Sequence, residues 1–234
     1  MKIQGIKALV TGGSSGIGLE TAKQIIQGGG KVAITGRDKS KLEKVAKEIG
    51  ATPLHYNSGD ESQVIKMTEE VISKLGGYNV LINNAAYGYF SPLVNMDLAK
   101  FNEMMNTNLT GAMLCGREAA KYFITQNYGN IVNISSTAGL AGFENGTAYV
   151  ASKFALKGMT ECWRKELRKN NIRVMLVNPS EVQTNFSVNA GGNNRDYNPT
   201  KLQSNEIAYT ILSLLQMEDR GFITEATVWA TNPK

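Results

Sequence analysis

The sequence predicts an α/β fold: a doubly wound parallel sheet of about seven strands with helices on both faces. Three observations predict it. Apolar runs of four to six residues alternate with segments of helical period along the chain. Those runs are continuously apolar, which fits strands covered on both sides. The composition, 42% hydrophobic and 19% charged over 234 residues, supplies a core with no need of disulfides.

The elements follow in order. Ile6 to Thr11 reads as a buried strand, then Gly-Gly-Ser-Ser leads into a helix from about Gly16 to Gln27. Glycines 28–30 end that helix. Lys31 to Thr35 is a strand, and Lys39 to Ile49 an amphipathic helix with Leu42, Val45, Ala46 and Ile49 at helical spacing. A short strand lies around His55, followed by a helix from Ser62 to Leu75 and a strand from Asn79 to Asn83. One long helix runs from about Leu98 to Thr125, then a strand from Asn130 to Ser135. Ala148 to Lys169 is helical, Arg173 to Val177 is a strand ended by Pro179, Glu206 to Leu215 a helix, and Ala226 to Ala230 the last strand. The segment Ser187 to Thr200, rich in Asn and Gly, is either a flexible loop or a lid over a site. The length predicts one domain over 1–234.

Composition excludes several functions. Two cysteines, Cys115 and Cys162, and one histidine, His55, leave no disulfide framework, no metal-ligand spacing and no His-dependent triad. Net charge is +5, but the densest basic cluster, Arg164, Lys165, Arg168 and Lys169, reads as a solvated helix face. No nucleic-acid reading motif accompanies it. No apolar run approaches the ~20 residues of a membrane span. Gly5, Lys7 and Gly12 interrupt any signal-peptide core. The expected setting is cytoplasmic, with no nucleic-acid or membrane partner.

Ligands on such sheets bind where strands end, so the residues just past each strand carry the candidate chemistry. Past the first strand stands Thr11-Gly-Gly-Ser14-Ser15-Gly16-Ile17-Gly18. Its glycines permit a tight turn, let backbone approach a pyrophosphate and allow close helix–strand packing. The helix N-terminus then offers free N–H groups to an anion. An ordinary Gly-rich turn is the other reading. Past the second strand, where an NAD site usually has an acid, stand Gly36 and Arg37. A guanidinium there suits a ribose 2′-phosphate; the alternative is an exposed loop residue. Asp38 reads as the cap of the next helix.

Tyr149 and Lys153 lie four apart, on one helix face. A tyrosine near pKa 10 is poorly matched to acid–base work at neutral pH. An ammonium about 5 Å away, at an effective dielectric of ~20, favours the phenolate by about 3 kcal/mol. That is about two pKa units, which predicts a lowered Tyr149. Such a pair also arises by chance on many helices. Ser136, thirteen residues earlier, follows a strand and faces the crevice, while Ser135 points the other way. Either hydroxyl also suits a plain turn.

Together these segments resemble the short-chain dehydrogenase/reductase family over nearly the whole chain. The match includes Thr11-Gly-x-x-x-Gly16-x-Gly18, Asn83-Asn84-Ala85-Ala86, Asn108 in Asn-Leu-Thr-Gly111, Ser136, Tyr149-x-x-x-Lys153 and Asn178-Pro179-x-x-x-x-Thr184. Six motifs in order and at family spacing are specific where no single one is. The chain departs from the family pattern in four places. Ala86 replaces a glycine, Ser180 follows Pro179 in place of glycine, Asn57 and Ser58 replace the adenine-side aspartate and aliphatic residue, and Ser15 replaces a second basic residue. These departures rest the cofactor preference mainly on Arg37.

The resemblance implies a Rossmann-type fold and hydride transfer between a nicotinamide and a carbonyl or alcohol carbon, with no metal. Ser136 would stabilise the carbonyl oxygen, Tyr149 give the proton, Lys153 lower the tyrosine pKa and bind ribose, and Asn108 order a relay water. Cofactor contacts would come from Gly12, Ser14, Ser15, Gly16, Ile17, Gly18, Arg37, Asn57, Ser58, Asn84, Ala85, Tyr149, Lys153, Pro179, Val182 and Thr184. NADP (NADPH) is expected over NAD. The two long helices imply a homotetramer or homodimer, with Cys115 and Cys162 as packing residues on them and His55 as strand packing. A short substrate loop spans about 185–201. The expected activity is that of a small-carbonyl reductase. A 3-oxoacyl-(acyl-carrier-protein) reductase is the alternative, and a non-catalytic dinucleotide sensor a distant one.

Overall fold

A computed structural model of the chain describes residues 1–184, 186, 190 and 196–233. The strands are β1 Lys7–Val10, β2 Lys31–Thr35, β3 Thr52–Leu54, β4 Val80–Asn83, β5 Gly129–Ile134, β6 Ile172–Pro179 and β7 Glu225–Val228. All pair in parallel, in the order β3-β2-β1-β4-β5-β6-β7. The helices are α1 Gly16–Gln27, α2 Lys39–Ile49, α3 Glu61–Leu75, α4 Leu98–Met105, α5 Gly111–Gln126, α6 Thr147–Leu167 and α7 Ser204–Gln216.

Both faces of the sheet are buried, which explains the unbroken apolar runs. Ala8 and Val10 of β1 pack with Ala22 and Ile25 of α1, Leu42 of α2 and Ile207 of α7. Leu9, pointing the other way, packs with Val64 and Met67 of α3 and Phe123 of α5. Strand order reverses between β1 and β4, so a crevice opens at their carboxyl ends.

Local signals set the helix ends. Asp38, Asp60 and Asp97 cap α2, α3 and α4, each side chain accepting from a backbone N–H of the first turn. Gly50 and Gly76 end α2 and α3 in the left-handed region. Pro53 sits in β3, the edge strand, where a missing donor costs least.

The structure corrects several expectations. The strand read around His55 stops at Leu54; His55 is exposed, and its Nε2 lies 3.0 Å from the Arg37 carbonyl. It ties a loop instead of packing in a strand. The helix read as continuous from Leu98 to Thr125 is interrupted by a π turn, Asn106–Thr110. Hydrogen bonds drawing Asn108 inward widen that turn, and Gly111 lets the Ser58 backbone close against it. Arg164 is no solvated charge: it donates to the carbonyls of Val174 (3.0 Å) and Thr224 (2.8 Å). Cys115 is buried, and burial pushes its thiol up to about 12, whereas Cys162 is exposed. Among the described residues, no helix is long and apolar enough to cross a membrane.

A buried amide network fixes the helices that carry the site. Asn83 of β4 donates to Asn133 of β5 (2.9 Å) and to the Ala112 carbonyl of α5 (3.1 Å). Asn133 donates to Thr160 of α6 at 2.8 Å. Breaking any of these three bonds would strand a buried polar group, so α5 and α6 are held in one register on the sheet.

Candidate active site

The turn after β1 is shaped for an anion. Gly12 and Gly16 have φ of +64° and +57°, a region that L side chains rarely adopt. A Cβ on Gly18 would stand 2.5 Å from Asn84 Nδ2, so only glycine lets the α1 start close on the loop after β4. Thr11 Oγ1 accepts from the backbone N–H of Asn84 and of Ala85, both at 3.0 Å. Asn84 Nδ2 returns bonds to the carbonyls of Thr11 (3.0 Å) and Gly12 (3.1 Å). Two loops are thereby locked edge to edge. Ser15 holds the N-cap of α1 with no side-chain cap bond, ahead of Ile17 in the first turn. That N-terminus fits the anionic group of a dinucleotide.

At the rim of this turn, Gly36 faces Ser14: a Cβ would meet Ser14 Oγ at 2.8 Å. Arg37 is exposed, and its guanidinium carbon stands 5.6 Å from the Tyr87 ring centroid. Asn57 Oδ1 accepts from Gly59 N in a local turn (3.0 Å), and Ser58 packs on Gly111. These residues sit on loops at the carboxyl ends of β2 and β3.

The catalytic candidates are Ser136, Tyr149 and Lys153. Ser136 follows β5, and its Oγ accepts from Ala138 N at 3.1 Å. Ser135 points inward and donates to the Lys153 carbonyl (3.3 Å), as its opposite orientation required. Lys153 is 3% exposed; its Nζ donates to the Ile134 carbonyl (2.9 Å) and lies 5.6 Å from the Tyr149 ring centroid.

The proton affinities correct the charge arithmetic from sequence. Burial pushes the Tyr149 phenol up to about 12, against a lowering influence from a Ser136 hydrogen bond. Burial also brings Lys153 down to about 8. The expected lowering of Tyr149 by Lys153 is therefore absent from the protein groups alone. Desolvation acts on both side chains, and the ammonium engages the Ile134 carbonyl. What results is a neutral phenol beside a lysine poised near neutral pH.

Asn108 braces this arrangement. Its Oδ1 accepts from Tyr87 N (3.0 Å), and its Nδ2 donates to the Tyr87 carbonyl (3.0 Å) and to Ser152 Oγ (3.2 Å). Ser152 in turn donates to the Tyr149 carbonyl (2.7 Å). The side chain is thus fully engaged in holding the loop after β4 against α6.

A model of the short chain dehydrogenase family matches residues 7–194. The chain belongs to the short-chain dehydrogenase family. It is 35% identical over 189 residues to the 3-oxoacyl-(acyl-carrier-protein) reductase FabG of Thermotoga maritima, covering 79% of this chain and 77% of that one. An uncharacterized oxidoreductase of Staphylococcus saprophyticus is 30% identical over 234 residues, 97% and 98% of the two chains. A metagenomic short-chain oxidoreductase solved in complex with NADP superposes with a TM-score of 0.83 at 31% identity, over 96% and 97%.

In this short-chain dehydrogenase a cleft of about 960 Å³ opens beside Ser136 and Tyr149. Val182 bridges to Leu202, and Thr184 Oγ1 accepts from Phe186 N (3.2 Å), just past Pro179, the last residue of β6. Gln183 holds the cleft's far wall, bonding the Asp196 carbonyl and accepting from Asn198 N (2.8 Å). Of the segment read as a substrate loop, 185, 187–189 and 191–195 lie outside the described residues. Sequence reasoning missed Tyr87, Phe90 and Phe143. Each follows a strand's carboxyl end, which was the available signal.

Proposed function

We propose that this chain is an NADP-dependent oxidoreductase, acting chiefly as a small-carbonyl reductase through Ser136, Tyr149, Lys153 and Asn108. The observation that carries the reading is the convergence of the half-buried Tyr149 phenol and Ser136 on one cleft, with the buried Lys153 ammonium 5.6 Å from the Tyr149 ring centroid. Ser136 offers its hydroxyl to the substrate oxygen and stabilises the charge developing there. Tyr149 donates its proton to that oxygen. Lys153 would support the ribose of a bound nucleotide and replenish the proton, and Asn108 keeps the Tyr87 loop and α6 in register around them. A bound NADPH would supply the hydride to the carbonyl carbon, the C=O π pair moving to oxygen and leaving an alcohol and NADP⁺. The glycine turn with Ser14, Ser15 and Ile17 would hold the pyrophosphate. Asn57, Ser58, Asn84 and Ala85 would flank the adenosine, and Pro179, Val182 and Thr184 the nicotinamide. Arg37 suits a 2′-phosphate, and the NADP-bound relative supports that choice.

Testing means following NADPH oxidation with a panel of ketones, aldehydes and 3-oxoacyl thioesters. Turnover of simple ketones is expected, and no turnover of any carbonyl would end the reading. A second reading, reduction of 3-oxoacyl groups on an acidic carrier protein, draws on the Thermotoga relative's name. Turnover of the thioesters alone would put it first.

The pH profile follows from the two buried groups. Reduction needs Tyr149 protonated and Lys153 charged. With Tyr149 near about 12, the phenol keeps its proton through the neutral range. With Lys153 near about 8, the ammonium is lost as pH rises through that value. We expect kcat/KM for reduction to fall above that point, approaching about tenfold per pH unit. A profile flat from about pH 7 to about pH 10 would contradict this.

The rest of the proposal is organisational. Residues 1–234 act as one dinucleotide-binding and catalytic domain, supported by the single sheet that runs through all seven strands. The chain assembles as a homotetramer or homodimer on α4, α5 and α6; a monomer in sedimentation at micromolar concentration would exclude that. A cytoplasmic location suits the free thiols Cys115 and Cys162.

A further inference from the structure

The walls of the catalytic cleft are aromatic, and they come from three separate loops. Phe90 follows β4, Phe143 follows β5 and Phe186 follows β6. Phe90 stands edge-on to Tyr149 with centroids 5.6 Å apart, and 6.0 Å from Phe143. Phe186 closes the other side, 5.5 Å from Tyr149. Two glycines make this possible. A Cβ on Gly88 would meet the Phe90 ring at 2.8 Å and the Phe186 ring at 3.1 Å. A Cβ on Gly146 would meet the Phe143 ring at 2.7 Å. The rings therefore rest on backbone, in close packing that any larger residue at those two positions would disturb.

These rings are also left wet. Phe90 is 38% exposed and Phe143 51%. Apolar area at that level inside a concave site favours a ligand that covers it. The charged residues lining the cleft, among those described, are Glu181, Asp196 and Lys201. Lys201 pairs with Glu181 at 2.9 Å.

We propose that the cleft selects ketones carried on an aromatic ring, together with their alcohols. The substrate ring would lie among Phe90, Phe143 and Phe186, which presents its carbonyl to Tyr149 and Ser136. This rests on the reductase reading for the chemistry but not for the recognition. Aromatic rings meet edge to face with a quadrupolar attraction that a saturated ring lacks, roughly 2- to 10-fold in affinity for each such contact.

The test compares acetophenone with cyclohexyl methyl ketone, which share carbon count and carbonyl and differ in the ring. Calorimetry on the protein with NADP⁺, and again without it, reads binding where no reduction can occur. Steady-state kcat/KM with NADPH reads turnover. We expect acetophenone to bind about 10-fold more tightly and to show a matching advantage in kcat/KM. Phe143→Leu keeps apolar bulk at a half-exposed site but removes the ring, and the aryl-to-cyclohexyl ratio should drop several-fold. Equal or tighter binding of the cyclohexyl ketone, or a ratio unchanged in Phe143→Leu, overturns the proposal whether or not anything turns over. Tighter binding of a 3-oxoacyl group on an acidic carrier overturns it too. If acetophenone binds with the expected ratio and no carbonyl is reduced, the ring recognition stands and the reductase reading falls.

Discussion

Tyr149→Phe is expected to lower kcat for ketone reduction at least about 10²-fold, the lower end of general-acid contributions. NADPH should still bind. The substitution removes one hydroxyl and keeps the ring, whose contacts with Phe90 and Phe186 at 5.6 and 5.5 Å hold the side chain in place. It therefore deletes the proton donor without opening a cavity. Lys153→Ala should be worse in both respects. It removes a buried side chain bonded to the Ile134 carbonyl as well as the proposed ribose contact. Steady-state kcat, set beside NADPH affinity from a fluorescence titration, separates the two variants. A Tyr149→Phe protein with near wild-type turnover would mean that another group gives the proton.

Arg37→Ala is expected to weaken NADPH efficiency about 10-fold and leave NADH nearly unchanged. Hydrogen bonds to a charged group contribute about 1.5–3 kcal/mol, or roughly 10- to 150-fold. The lower part of that range applies because Arg37 is exposed and Ser15 supplies no second charge. The Tyr87 ring, 5.6 Å beneath the guanidinium, orients it and offsets part of that screening. Gly36→Asp goes further and should reverse the preference. A carboxylate there accepts from a ribose hydroxyl and repels a phosphate. Its Cβ would crowd Ser14 Oγ at 2.8 Å, but that is the end of a short side chain at the crevice rim, free to turn. Measuring kcat/KM with both cofactors in three proteins decides it. A wild type equally efficient with NADH would sink the NADP assignment and leave the reductase assignment intact.

Much of the architecture was readable because its signals are local. Continuous apolar runs mark strands buried on both faces, and the bounds of α1, α2 and β2 agree with their periodicity. Asp38 reads as a cap and is one. The placing of the candidate site residues was readable for a related reason. Ser136, Tyr149, Lys153 and the glycine turn all lie at strand ends or on one helix face, where sequence spacing converts directly into position. The π turn at Asn106–Thr110 had no such signal. Its cause is Asn108 bonding Tyr87 and Ser152, one 21 and the other 44 residues away.

By itself, then, the sequence determined the layering of this protein, the bounds of several elements and the placing of Tyr149 and Lys153 on one helix face, because each depends on spacing within one element. Tertiary structure alone decided what the candidate site residues feel and what they face. The affinity of Tyr149 for its proton could not follow from its distance to Lys153, since burial acts on both groups and depends on everything packed around them. The aromatic wall could not either. Phe90, Phe143 and Phe186 are far apart in the chain, and only the sheet's strand order and the room left by Gly88 and Gly146 bring their rings together.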